Sequence, residues 1–210
     1  TRRIGKAPQP QRLIKDLGKV YEIMNTNIKR WSVGSPIQAP LDGLLELIRE
    51  HGVKAADVEK LVIRVAHQAA NTTDNRNMPD ICMQHLCAVM LIDGIVTFKS
   101  SHDEKRMKDK KVLDLRKRIT LYGDDALTAA LPSRQGILEL KLKNGKTLHK
   151  HVKAVLGTAQ NPMVRAQVDE KCYHLMAPIL GAARARKLCD AVWNIEKVGN
   201  ITKLRNLLTA

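Results

Sequence analysis

The sequence predicts an α+β fold, with mixed strands and helices over residues 1–156 and helices alone over residues 157–210. The strongest evidence is the segment 137–143, where apolar and polar residues alternate strictly, as in a strand with one buried face. Asn144-Gly145 then leads into a second run, and this dipeptide favours the type I′ turn of a β-hairpin. After residue 157 the apolar spacing is helical throughout. We therefore place a domain boundary there.

The first forty residues contain few signals of regular structure. Residues 13–18 read as a short amphipathic turn, and residues 21–31 read as extended chain. Residues 32–40 hold one Gly, two Pro and two Ser, which is typical of a loop. Apolar residues at three- and four-residue spacing then predict a helix over residues 41–51, which Gly52 ends.

The middle of the chain mixes both kinds of element. Alternating apolar residues predict two strands, and longer apolar or charged runs predict two helices. The elements are a strand over 58–66, a polar loop over 70–79, a helix over 80–93, a highly charged helix over 102–118 and a short strand over 119–122.

The last fifty residues predict three helices. The first starts at Asn161 and is broken by Pro178 and Gly181, and the others cover 182–193 and 201–208. A segment of this length is too short to bury a core of its own. We therefore expect apolar side chains of these helices to be exposed unless another chain or domain covers them.

The composition is that of a globular protein with an unusually basic charge. The 210 residues are 44% hydrophobic, and 36 Lys and Arg against 21 Asp and Glu give a net charge of +15. Such a charge attracts anions, although lysines that merely solvate helix faces explain it equally well. With 3% aromatic residues and no RNA-binding or zinc-finger pattern, we do not expect nucleic acid as the main ligand. Four cysteines without disulfide-framework spacing, and no apolar run of ~20 residues, predict a cytoplasmic protein without a membrane span.

Four groups of segments carry a further signal through their order along the chain. They are Ile28-Lys29-Arg30-Trp31 with Leu41-Asp42-Gly43-Leu44-Leu45; Asn77-Met78-Pro79 with Ala88-Val89-Met90-Leu91-Ile92-Asp93-Gly94; the Asn144-Gly145 hairpin with Gly157-Thr158-Ala159-Gln160-Asn161-Pro162-Met163; and Lys171 with Leu180-Gly181-Ala182-Ala183-Arg184. The ordered set resembles the C-terminal part of the MmgE/PrpD family, which includes dehydratases, decarboxylases and epimerases. The resemblance extends over nearly the whole chain.

The resemblance implies a two-domain enzyme with its active site between a large helical domain and a smaller α+β lid. This chain would supply the lid, about residues 10–155, and the helices that complete the helical domain. The N-terminal helical half, which carries several catalytic groups in the family, would be supplied by the rest of a longer protein or by a companion subunit. The implied substrate is a small carboxylate, the implied assembly is a homo- or hetero-oligomer, and no cofactor is implied.

The candidate site is the loop that follows Ile28. Lys29 matches the family lysine that opens the lid loop, and the resemblance implies a catalytic role for it; a lysine can bind a carboxylate as a point charge. The alternative is an exposed lysine at the end of a strand. The residues expected to bind substrate are Arg30, Ser32, Gly34, Ser35 and Gln38.

This loop departs from the family pattern at two positions. Gly34 stands where other members carry histidine or cysteine, and Gln38 stands where a histidine is common. Neither residue transfers a proton near neutral pH, so dehydratase or decarboxylase activity does not carry over directly. Gly34 could instead make room for a larger substrate or let backbone N–H groups approach it.

The remaining histidines and cysteines predict no metal or cofactor site. We expect His85 to be a hydrogen-bonded core residue, His149 and His151 to lie on a solvated strand face, and His102 to have a local role only. No phosphate-binding glycine loop, nucleophile elbow or zinc-protease motif is found in the sequence.

Three hypotheses of function follow. The favoured one is part of a cofactor-independent lyase or isomerase that acts beside a carboxylate. The second is a non-catalytic structural or regulatory partner that shares the family's ancestry. The third, which rests on the charge of +15 alone, is a basic nucleic-acid-binding protein.

Overall fold

The computed structural model describes residues 9–209, so the first eight residues of the predicted α+β unit and the last residue of the helical segment lie outside it. The fold is α+β, built on one four-stranded sheet in the order β2-β1-β3-β4. Strand β1 runs parallel to β2, and the other two pairings are antiparallel. The strands are β1 Val58–Ala66, β2 Ile119–Asp124, β3 Gly136–Leu142 and β4 Thr147–Val152.

The α-helices surround this sheet and then continue beyond it. Helices α2 and α4 pack against each other, with α2 on β3 and β4 and α4 on β2. The α-helices are α1 Gln11–Ile14, α2 Gln38–His51, α3 His67–Thr73, α4 Met83–Asp93, α5 Phe98–Ser101, α6 Lys110–Arg116, α7 Asp125–Ala129, α8 Arg165–Leu180, α9 Ala182–Trp193 and α10 Arg205–Leu208.

The hairpin predicted from the sequence is confirmed. Leu138, Leu140 and Leu142 of β3 are buried while the residues between them are not, as the alternation requires. Gly145 has φ +87°, a conformation that glycine adopts without strain. On the buried face, helix α2 approaches the sheet most closely at Gly43, where a Cβ atom would lie 2.8 Å from a Leu138 methyl group.

Helix α4 runs through the middle of the core. Its residues from Met83 to Leu91 are all buried, including His85, whose two ring nitrogens have no hydrogen-bond partner. Burial, together with the charges of Arg116 and Arg106, lowers the pKa of His85 to about 4. His85 is therefore a neutral residue in the predicted core position, but the hydrogen bond expected for it is not formed, because apolar side chains of α4 and its neighbours surround the ring.

Several predicted elements differ from the structure. Residues 21–31 form no strand; they contain a 3₁₀ turn at Glu22–Asn25 and pair with none of the four strands of the sheet. The first residues of the predicted loop over 70–79 belong to helix α3. This helix packs on β1 and β2 and buries its own residues Ala69 and Ala70 there. Tertiary burial here outweighs the polar sequence.

The charged helix and the first tail helix also have different bounds from those predicted. Only Lys110–Arg116 of the segment 102–118 is α-helical, because the Asp109 carboxylate accepts the Lys111 N–H at 2.8 Å and so starts the helix there. Helix α8 begins at Arg165 and continues through Pro178, which lies two residues before its end and removes one late hydrogen bond.

Exposed apolar side chains concentrate at the two ends of the described chain. Helix α8 buries no residue, and every residue from 9 to 29 is exposed. Among the helices that the structure describes, none combines the length and the apolar character needed to cross a membrane. The exposed apolar residues of these two regions are Leu13, Ile14, Leu17, Val20, Tyr21, Ile23, Met24, Ile28, Val164, Ile179, Val192, Ile195, Ile201 and Leu208.

Candidate active site

One glutamine, Gln38, connects the two ends of the candidate loop by hydrogen bonds. Gln38 accepts the backbone N–H of Trp31 at 3.0 Å and donates to the Trp31 carbonyl oxygen at 2.9 Å. Its side chain is 3% exposed, so these bonds are shielded from water. Gln38 thereby fixes the two ends of the loop against each other, and its amide is already committed to the backbone.

Asp42, one turn into α2, stabilises the loop by accepting hydrogen bonds. Its carboxylate accepts Trp31 Nε1–H at 2.9 Å and the backbone N–H of Leu156 at 3.1 Å. Arg30 Nη1 lies 3.4 Å from the same carboxylate, and its guanidinium stacks on the Trp31 ring. Burial raises the pKa of Asp42, and the donors from Leu156, Trp31 and Arg30 oppose that shift. The Arg30 guanidinium is therefore directed to Asp42.

Lys29 lies where the loop faces helix α8. Its Nζ donates to the Val33 carbonyl oxygen at 2.9 Å, and Lys171 Nζ of α8 donates to the Lys29 carbonyl oxygen. Burial lowers the pKa of Lys171; the neighbouring Cys172 opposes this shift and the positive charge of Lys29 adds to it. Two lysines that are 142 residues apart in sequence are thus in contact through the Lys29 backbone.

These residues border a cleft of about 440 Å³, which we call the two-lysine cleft. It lies between the loop, the 3₁₀ turn Pro79–Ile81 and helix α8. Its volume suits a small organic anion. The residues that line it are Lys29, Trp31, Ser32, Val33, Gly34, Asp80, Ile81, His102, Lys171 and Leu175.

Gly34 leaves space in this cleft. Its N–H donates to the Asp80 carbonyl oxygen at 2.9 Å, so it is not free for a ligand. A Cβ atom at Gly34 would meet Ile81 at 3.5 Å, which is ordinary contact, so the backbone does not require glycine here. Glycine at this position leaves free volume in the cleft that a side chain would fill.

Ser35 faces a different space. It is exposed, and with Lys29 and Gln38 it borders a second cavity of about 580 Å³ between the loop and the segment 153–160. Of the six predicted site residues, the structure places Lys29, Ser32 and Gly34 on the two-lysine cleft, Ser35 and Gln38 on the second cavity, and Arg30 on neither.

Two residues of the two-lysine cleft had no site role in the sequence analysis. Lys171 is part of the resemblance, but nothing in its own spacing connects it with Lys29. His102, for which only a local role was expected, reaches the cleft because the short helix α5 carries it there. Within residues 9–209, no group of three or more His, Cys, Asp or Glu side chains could hold a metal ion.

Comparison with known proteins gives a consistent result. The MmgE/PrpD C-terminal domain matches residues 31–196 of this chain. The 2-methylcitrate dehydratase of Salmonella typhimurium is 36% identical over 92 residues, which are 41% of this chain and 19% of that enzyme. The 2-methylcitrate dehydratase of Escherichia coli is 32% identical over the same shares of both chains. The aligned part of the chain thus spans about a fifth of the length of these relatives.

Proposed function

This chain belongs to the MmgE/PrpD family, by the match of residues 31–196 to its C-terminal domain, and from this we propose that it forms part of a lyase of the dehydratase type. The proposed substrate is a small molecule with two or three carboxylates, as the name 2-methylcitrate dehydratase indicates for the relatives. The proposed reaction removes a proton next to a carboxylate and needs no cofactor.

The observation that carries the proposal is the pair of ammonium groups on the two-lysine cleft. Lys29 and Lys171 both line it, and Lys29 and Ser32 come from the loop that the resemblance singles out. Removing a proton next to a carboxylate places a second negative charge on that group. Cations held ready beside it stabilise this charge as it forms. The desolvated position of Lys171 strengthens that interaction, because a charge acts more strongly outside bulk water.

We assign the other loop residues distinct parts in this reaction. Ser32 donates a hydrogen bond to the anion, and Gly34 provides the volume that a substrate branch occupies. Arg30 and Gln38 support the loop through Asp42 and Trp31, without touching the substrate. Ser35 lines the second cavity and stays outside the reaction.

The active unit, in this proposal, includes an N-terminal helical half, either in a longer chain or as a companion subunit in an oligomer. The exposed apolar residues of α8, α9 and α10 support this, because helices that bury so little of their apolar surface need a partner. The missing half would also close the open side of the two-lysine cleft.

The test is Lys29→Met in the chain assembled with its helical half, with 2-methylcitrate and citrate as substrates. This change keeps the aliphatic stem and removes the charge, so kcat/KM falls at least tenfold, about 1.4 kcal/mol. Lys143→Met, in the exposed turn of the hairpin, is the control for lost charge and leaves the rate unchanged. Equal losses at both lysines would point to general electrostatics, and no loss at Lys29 would favour the non-catalytic partner.

A further inference from the structure

His102 lines the two-lysine cleft, and contacts with helix α5 fix the orientation of its imidazole ring. It follows helix α5, which Thr97 caps at its N-terminus and which ends at Ser101. The imidazole stacks on the Phe98 ring, with centroids 4.2 Å apart and planes 25° apart. The stacking and the helix together hold one edge of the ring against α5.

The hydrogen bonds of His102 determine which nitrogen carries the proton. Nδ1 lies 2.9 Å from the Phe98 carbonyl oxygen, and a carbonyl can only accept, so Nδ1 is the protonated nitrogen of the neutral ring. The Ser101 hydroxyl, 2.9 Å from Nδ1, donates its own proton to the same carbonyl at 3.0 Å. Nε2 therefore carries a lone pair, and it makes no hydrogen bond to any residue within 9–209.

The cleft around His102 is also lined by two lysines and one carboxylate. Lys29 and Lys171 face the same cleft as cations, and Asp80 lines it as a carboxylate. Asp103, next to His102, is occupied by the backbone N–H groups of two following residues, at 2.9 and 3.2 Å. An imidazole is the side chain whose charge changes near neutral pH, which is the property that Gly34 and Gln38 cannot supply.

We propose that His102 is the residue through which this chain transfers the substrate's proton, a proposal that rests on the function proposed above. The neutral Nε2 removes the proton from the carbon next to the carboxylate, and the electron pair of that C–H bond moves into the carboxylate as an enediolate beside Lys29 and Lys171. The imidazolium then gives the proton to the departing hydroxyl group. The C–O bond breaks, the C=C bond forms, water leaves and the ring is neutral again.

The decisive variant is His102→Asn in the assembled protein with 2-methylcitrate as substrate. The asparagine amide can still donate to the Phe98 carbonyl oxygen, so the fold of α5 is kept while Nε2 is removed. The expected result is a fall in kcat of at least ~100-fold, with KM changed less than threefold, and loss of the acidic limb of the pH–rate profile. The control is His149→Asn, on the exposed strand face near Glu139, which leaves rate and profile unchanged.

A second measurement, on the unaltered chain, does not depend on turnover. Citrate bound in the two-lysine cleft shifts the imidazole proton resonance of His102 in an NMR titration and leaves that of His149 in place. A His102 resonance that ignores citrate, or a His102→Asn variant with full kcat and an unchanged profile, overturns the role of His102. If Lys29→Met is impaired in that case, the proposed function stands without it. A wild-type assembly that turns over no carboxylate overturns the proposed function itself, and the role of His102 with it.

Discussion

The four-stranded sheet and helix α8 differ in how much of their apolar surface this chain buries. In the sheet, Leu138 and Leu140 are fully buried between strands and helices of the same unit. Helix α8 buries none of its residues, and Ile179 on it is 70% exposed. The first region closes its own core, whereas the second has apolar surface that this chain does not cover.

The candidate site lies at the junction of these two regions. Lys29 comes from the loop before α2 and Lys171 from α8. The hydrogen bond from the Leu156 N–H to Asp42 connects α2 with the segment that leads into the C-terminal helices. A cleft built in this way is complete only when both sides are held in place. In the proposed assembly, a partner that covers α8 would therefore affect chemistry as well as stability.

The largest expected contrast comes from one substitution made in both regions. Leu140→Ala leaves a cavity in a fully buried core and lowers the free energy of unfolding by about 3 kcal/mol. Leu208→Ala, at a side chain that is 61% exposed, changes it by less than about 0.5 kcal/mol. Urea denaturation of the isolated chain measures both. Comparable losses would show that the tail belongs to the same core and would break the comparison.

In the proposed assembly with a helical half, we expect the two variants to exchange their effects. Leu208→Ala weakens the association of the two parts, because its exposed side chain lies on the helices proposed to contact the helical half, while Leu140→Ala leaves the association unchanged. Analytical ultracentrifugation at a series of concentrations measures the affinity.

The second prediction concerns pH and applies to the sheet unit alone. Because burial lowers the pKa of His85 from 6.5 to about 4, the unfolded chain binds its proton first as the pH falls. Stability is therefore complete above about pH 6.5 and is lost as the pH falls towards 4, by at most about 3 kcal/mol. Unfolding free energies measured across this range give the slope. His85→Phe flattens it, the exposed His149→Gln does not, and an unchanged slope in His85→Phe would refute the assignment.

How far the sequence predicts the fold depends on whether local pattern or tertiary contact decides an element. Alternation and an Asn144-Gly145 turn specify the hairpin locally, so it was predicted correctly. Helix α3 was missed because its polar sequence is helical only where Ala69 and Ala70 pack against the sheet. A contact of this kind has no signal within the segment itself.

The same distinction holds for the candidate site. Lys29 was identified from the loop that surrounds it, through the family resemblance. Lys171 and His102 meet it only in the folded chain, from helices that the sequence does not relate to the loop. Arg30 and Gln38 were expected to bind substrate, but in the structure they contact Asp42 and Trp31 and stabilise the loop. No local sequence pattern indicates these contacts.

The third and smallest effect is expected at the junction itself, from Asp42→Asn. One Asp42 oxygen accepts from Trp31 and lies near Arg30, and the other accepts from Leu156. An asparagine must turn its NH₂ group towards one of these sides, where donor then faces donor. The expected loss in the free energy of unfolding is about 1–2 kcal/mol, together with faster hydrogen exchange at the Leu156 amide.

This variant also decides the charge state of Asp42. Burial raises the pKa of the carboxyl, and a protonated acid, with one donor and one acceptor, would resemble asparagine closely enough to make the change nearly neutral. The donors from Trp31, Arg30 and Leu156 favour the carboxylate, so we expect a real loss. Asp114→Asn, at an exposed carboxylate paired with Lys117 at 3.5 Å, is the matched control and changes stability by less than about 0.5 kcal/mol. If Asp42→Asn behaves like this control and Leu156 keeps its protection, the two regions are joined by contacts other than Asp42.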